Sequence, residues 1–158
     1  MVIYETGKDG SAEDEKSGRM AMPLSAVERI ESVPLSEIEY AGGRAVLQYR
    51  GELIPLEDEC GVLREMSAAE ETAPAGDAEK DGATATVLIC LRPEAHGMRR
   101  VGMVVRRVLD VSAGRLLAAD SAASEEQLAM VKDRVTTVHR EFARQAGKPQ
   151  TAILKEVA

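Results

Sequence analysis

The chain has no tryptophan, one phenylalanine and three tyrosines in 158 residues. Aromatics make up 3 % of it, whereas apolar residues reach 44 %. A core made from this chain is therefore aliphatic, built of Val, Leu, Ile, Met and Ala. Its length suits one ordinary domain or two small lobes sharing a boundary. Cysteine is equally scarce. Cys60 and Cys90 stand far apart without a Cys-x-x-Cys, which speaks against a disulfide framework or a zinc site; both read as small buried hydrophobes. No apolar run approaches the length of a membrane span, and the start is not charged-then-apolar. The expectation is a cytoplasmic protein with no direct membrane insertion.

The residue types of common active sites are also thin. There are two histidines, His96 beside Gly97 and His139 before "REF", and neither has a Cys or His at metal-ligand spacing. Both read as surface histidines. The stretch "GKDGSAEDEKSG" lacks the Gly-Lys-Ser/Thr ending of a phosphate loop. Ser25 and Ser124 have no paired base. Glu57, Asp58 and Glu59 form a carboxylate cluster with too few oxygen ligands for a cation, so it reads as a solvated rim. A hydrolase using Glu57, Asp58 or His96 is the enzyme alternative. It lacks a paired nucleophile and base, so no catalytic residue, metal or cofactor is expected.

What is present is charge, unevenly placed. The net charge of −7 speaks against nucleic acid as a partner. Residues 1–86 carry 19 acidic and 8 basic side chains; residues 87–158 carry 8 acidic and 12 basic. Two lobes of opposite sign would attract complementary partners or copies of each other. Alternatively the acidic stretches only solvate loops.

Many short strands are predicted. "MVIYET" is β-branched and aromatic. Met20, Met22 and Leu24 alternate with Arg19, Ala21 and Pro23, the period of a strand that Pro23 confines to an edge or end. Val27 and Ile30 fit either a helical turn or a strand with a bulge. "PLSEIEY" suggests a turn or one helical turn. After the tight-turn signal "AGGR", "AVLQYR" and "ELIPL" form a strand pair or one bent strand, with the bend at Gly51. Residues 64–86 read as a long loop or hinge. "TVLICL" is a buried strand, and "RVGMVVRRVLDV" pairs with it as a hairpin, Val101, Met103 and Val105 on one face. "SEEQLAMVKD" carries a capping box at Ser124 and Gln127 and predicts a helix. "RVTTV" reads as a strand, "HREFARQAGKP" as a closing helix, and the last residues as a frayed tail.

The run Met20–Leu56, "MAMPLSAVERIESVPLSEIEYAGGRAVLQYRGELIPL", resembles the first half of a CheW-like domain, in the version that ends a CheA-type chemotaxis histidine kinase. The pattern is carried by Ala21, Pro23, Leu24, Val27, Arg29, Ile30 and Glu31, then by Val46, Gln48, Tyr49, Arg50, Gly51, Pro55 and Leu56. In the second half, Val101 to Val105 with Val108, Leu109 and Asp110 resemble the family's strand pair, with Arg106 where Asp is common.

The resemblance implies a mainly β protein of two SH3-like five-stranded barrel lobes with short helices. The domain would span residues 1–145, with lobes at roughly 19–63 plus strands from both ends, and 84–135; residues 146–158 form a tail. It implies a non-catalytic module docking to a CheW-type coupling protein and to chemoreceptor cytoplasmic tips, and so serving a histidine kinase core. The alternative is a free-standing CheW-type adaptor. The partner-binding residues it implies are Val27, Arg29, Gln48, Arg50, Gly51, Leu53, Pro55, Leu56, Met103 and Val105. Read from the residues alone, Val27, Ile30, Val46 and Leu53 fit the core more readily than an interface. Arg50 either forks onto a partner carboxylate or pins its own backbone carbonyls.

Overall fold

The computed structural model describes residues 1–6, 18–59, 61–72, 82–117 and 127–142. Over these the chain is mainly β. The first strands, β1 (Val2–Glu5) and β2 (Arg19–Met22), pair antiparallel with Ile3 opposite Ala21. The chain turns through a 3₁₀ segment at Leu24–Ala26 into β3 (Val27–Pro34). The Val27–Ile30 ambiguity therefore resolves as a strand, with a register irregularity between Val27 and Arg29. A second 3₁₀ turn, Leu35–Glu37, leads to β4 (Ile38–Ala41), β5 (Arg44–Tyr49) and β6 (Glu52–Glu57).

After α1 (Val62–Thr72) come the long hairpin β7 (Thr84–Glu94) and β8 (Gly97–Val105), then β9 (Arg107–Val111) and β10 (Arg115–Leu116). The last described strands are β11 (Gln127–Val131) and β12 (Arg134–Val138).

The strands form two mixed six-stranded sheets, ordered β10-β11-β12-β2-β1-β9 and β3-β7-β8-β6-β5-β4. Each contains one parallel pair, β12 with β2 and β6 with β8. Among the described residues the first and last strands of neither sheet are hydrogen-bonded to each other, so neither closes, and each has six strands where five were expected. β7 and β8 complete the sheet begun by β3–β6, and β1, β2 and β9 join β10–β12 in the other.

Three apolar clusters explain why this packs. In β7, Val87 and Ile89 enter one cluster with Leu47, Ile54, Leu56 and Leu63, while Leu88 and Cys90 enter a second with Val2, Tyr4, Met22, Val101, Met103 and Val105. On the far side of the first sheet, Ile3, Ala21, Ala129, Val131 and Val138 form a third. Strands β1, β2, β7 and β8 are thus covered on both faces, the reason "TVLICL" is an unbroken apolar run. The second cluster joins the sheets. It holds Phe142 and the Cys90 thiol, whose pKa burial pushes up to about 12. A Cβ at Gly102 in β8 would press on Leu56 Cδ2 and Val87 Cγ1, so any larger residue there requires those core side chains to shift.

Several expectations change. The 64–86 loop is a helix as far as Thr72, with Val62, Leu63 and Met66 packed on the core and Asp58 accepting the amides of Val62 (2.8 Å) and Leu63 (3.0 Å). The expected helix at 124–133 is strand β11 from Gln127, because Ala129 and Val131 alternate into the third cluster rather than following a helical period. It ends in a two-residue turn at Lys132 and Asp133, both at positive φ. Residues 139–142 form a turn; the rest of the expected closing helix, the tail and Cys60 lie outside the described residues.

The β5–β6 connection is a tight hairpin rather than a bulge. Arg50 (φ 49°) and Gly51 (φ 78°) are its two central residues, as a primed turn requires. Gly51→Val places a β-branched residue in the left-handed region and is expected to cost on the order of 1–3 kcal/mol. Unchanged urea unfolding of that variant would contradict the turn.

Candidate protein interaction surface

The β5–β6 hairpin sorts its side chains by alternation. Val46, Leu47, Tyr49, Ile54 and Leu56 are buried, while Gln48, Arg50 and Leu53 are exposed. Gln48 and Leu53 stand directly opposite one another across the pair. Leu53 is 57 % exposed, an apolar residue left out of every core cluster. Arg50 sits on the adjoining turn, its guanidinium 5.3 Å from the centre of the Tyr49 ring and 3.8 Å from Glu28. Among the described residues it is held by this ring and carboxylate, not by backbone carbonyls.

A charged collar borders this surface. Arg100 on β8 donates from Nε to Glu28 on β3 (2.7 Å) and from Nη1 to Glu52 on β6 (2.9 Å). The hydrogen bonds that Arg100 donates to Glu28 and then to Glu52 hold its pKa above its ordinary range. Each exposed pair stabilises by little, about 0–1 kcal/mol, but together they fix the hairpin against β3 and β8. Arg29, also exposed, pairs with Glu31 at 2.7 Å.

The structure therefore brings together only some of the expected partner-binding residues. Gln48, Arg50, Gly51 and Leu53 share the hairpin surface, and Arg29 is exposed on β3. Val27, Met103 and Val105 do not belong to it: they are buried in the cluster between the sheets, since their inward positions on β3 and β8 face the opposing sheet. Leu56 is buried in the first cluster, and Pro55 is half-buried beside Val46. Leu53, which residue reading placed in the core, is outside. Glu28, Glu52 and Arg100 were missed; Arg100 lies 72 and 48 positions from its partners, and no local pattern joins them.

The carboxylate cluster is a solvated rim only at the exposed Glu59. Glu57 accepts two bonds from Arg92 (2.6 and 2.5 Å), Asp58 caps α1, and Glu59 lies 3.8 Å from His139 Nε2. His139 is not on the surface either. It is 5 % exposed, its ring 5.3 Å from that of Phe142, because the turn after β12 folds it over the core. His96 is exposed on the β7–β8 turn, as expected.

Arg92 also meets Glu141 at 2.5 Å and so ties β6 and β7 to the turn after β12. Its hydrogen bonds hold the Glu57 pKa below the ordinary 4.5. A depressed carboxylate stabilises the fold fully above the unfolded value and loses that contribution as pH falls through the folded one. Arg92→Met should therefore lower the melting temperature at pH 7, and the gap from the parent should narrow towards pH 3. A gap constant across that range would contradict the linkage.

Compared with known protein families and with curated proteins, the chain matches none.

Proposed function

We propose that this chain is a cytoplasmic, non-catalytic interaction module of the CheW-like type, resembling the regulatory domain that ends CheA-type kinases. It docks to a CheW-type coupling protein and to chemoreceptor tips, and so conveys receptor state to a histidine kinase core. Each sheet, wrapped about its own apolar cluster, is read as one SH3-like lobe.

The observation that carries this reading is the β5–β6 hairpin. The stretch "VLQYRGELIPL" bears the resemblance, and within it Leu53 is exposed beside Gln48 and Arg50 on a braced β scaffold. An exposed apolar residue ringed by polar groups on a rigid element is suited to a partner's pocket. Arg106, the departure from the usual Asp, has a structural use that leaves this surface untouched: it bonds Glu65 of α1 at 2.9 Å.

Sedimentation of the chain with a cognate CheW-type protein at low or moderate salt tests the reading. A complex is expected, weakened about tenfold or more by Leu53→Asp. Absence of a complex at high micromolar concentration would sink it.

A further inference from the structure

A groove of about 960 Å³ lies between α1 and the strand ends of β4, β5 and β6, apart from the Leu53 surface. Its lining combines apolar groups (Ala45, Pro55, Leu63) with Tyr40, which is 65 % exposed. Charged groups stand on both walls: Arg44 at the start of β5, Arg64 on α1, and the carboxylates of Glu57, Asp58 and Glu59.

The two signs are not equally available. Glu57 is bound by Arg92 and Asp58 by the first amides of α1, whereas Glu59 is exposed and lies 3.8 Å from His139 Nε2. Arg44 and Arg64 are both exposed, and neither has an ion-pair or hydrogen-bond partner among the described residues. Among the described residues the uncommitted charge of the groove is therefore two guanidinium groups against the one carboxylate of Glu59, although residues 1–86 carry an acidic excess. Two guanidinium groups over an apolar floor recognise carboxylates next to a large apolar side chain. The chain's net charge of −7 disfavours a polyanion such as nucleic acid or an anionic bilayer, whose extended field is repelled. A short peptide meets only the local charge, within a screening length of about 8 Å.

We propose that this groove binds an acidic, extended segment of a partner protein, with one or more Asp or Glu side chains on Arg44 and Arg64 and an apolar anchor against Leu63 and Pro55. The site does not depend on the coupling reading above.

Selection of a random dodecapeptide display library on the whole chain tests it. Enriched sequences should carry Asp or Glu next to Leu, Ile or Phe. A synthesised winner should bind with an affinity that falls as salt rises. Arg44→Gln and Arg64→Gln should each weaken it about tenfold without moving the melting temperature, since both side chains are exposed. Leu53→Asp should leave peptide binding unchanged, which separates this site from the hairpin surface. No enrichment, enrichment without acidic residues, or indifference to both arginines would overturn the proposal. So would self-association, or binding to phosphatidylserine vesicles, that the Arg44→Gln/Arg64→Gln variant abolishes, because the groove would then belong to a second copy or to a membrane.

Discussion

Phe142→Ala is expected to lower unfolding stability by about 3–5 kcal/mol, the cost of emptying a fully buried aromatic site. Phe142 is the chain's single phenylalanine and has no exposed surface. It packs in the cluster between the sheets with Val2, Tyr4, Met22, Leu88 and Val101. It also carries two neighbours that alanine would leave poorly covered: the His139 ring, and the Arg92 guanidinium 5.7 Å from the ring centre. The cluster is shared by both sheets, so they should loosen together, and the melting temperature should fall by on the order of 10 °C. Calorimetry checks this. A loss under 1 kcal/mol would mean that the turn after β12 does not seal the inter-sheet core.

Met103→Ala is expected to cost about 2–5 kcal/mol for the same reason. Its side chain is 3 % exposed and sits among Val101, Val105 and Leu88. The contrast with Leu53 gives the measurement its force. Leu53→Ser removes an exposed side chain and should change stability by less than about 0.5 kcal/mol. If Met103 were instead a contact residue on an open strand face, the two variants would behave alike in chemical denaturation. A small cost at Met103 would return it to the surface and undo the three-layer arrangement of the core.

Much of the scaffold was legible in the sequence. The alternation of Met20 and Met22, the unbroken "TVLICL" and the shared face of Val101, Met103 and Val105 all correspond to strands, whereas Leu24 already belongs to the 3₁₀ segment after Pro23. The bend expected at Gly51 is a hairpin turn, so of the two alternatives the strand pair holds, and the positive φ there favours glycine. The sequence could not say what lay opposite each face. Met103 and Leu53 are both apolar residues on strands, and the opposing sheet covers Met103 and not Leu53.

The errors at α1 and β11 share a cause. Short segments were judged by composition and by i, i+3 spacing, whereas tertiary contacts decided them. "VLREMSAAEET" looks too poor in large apolar residues to pack, yet Val62, Leu63 and Met66 suffice once Asp58 caps the first turn. Leu128 and Val131 have helical spacing, but pairing with β12 imposes period two. The charged collar was out of reach of local reading, as was the role of Glu57. Their partners come from distant strands, and a carboxylate run resembles a solvated rim until the arginine across the sheet is known.

The most direct measurement is an NMR titration of the isotope-labelled chain with an unlabelled cognate coupling protein. The proposed module predicts saturable shifts concentrated at Gln48, Arg50, Gly51 and Leu53, with the buried amides of Val101 to Val105 least affected. Shifts confined to other faces, or none at saturating partner, would contradict a protein-docking role for the β5–β6 hairpin.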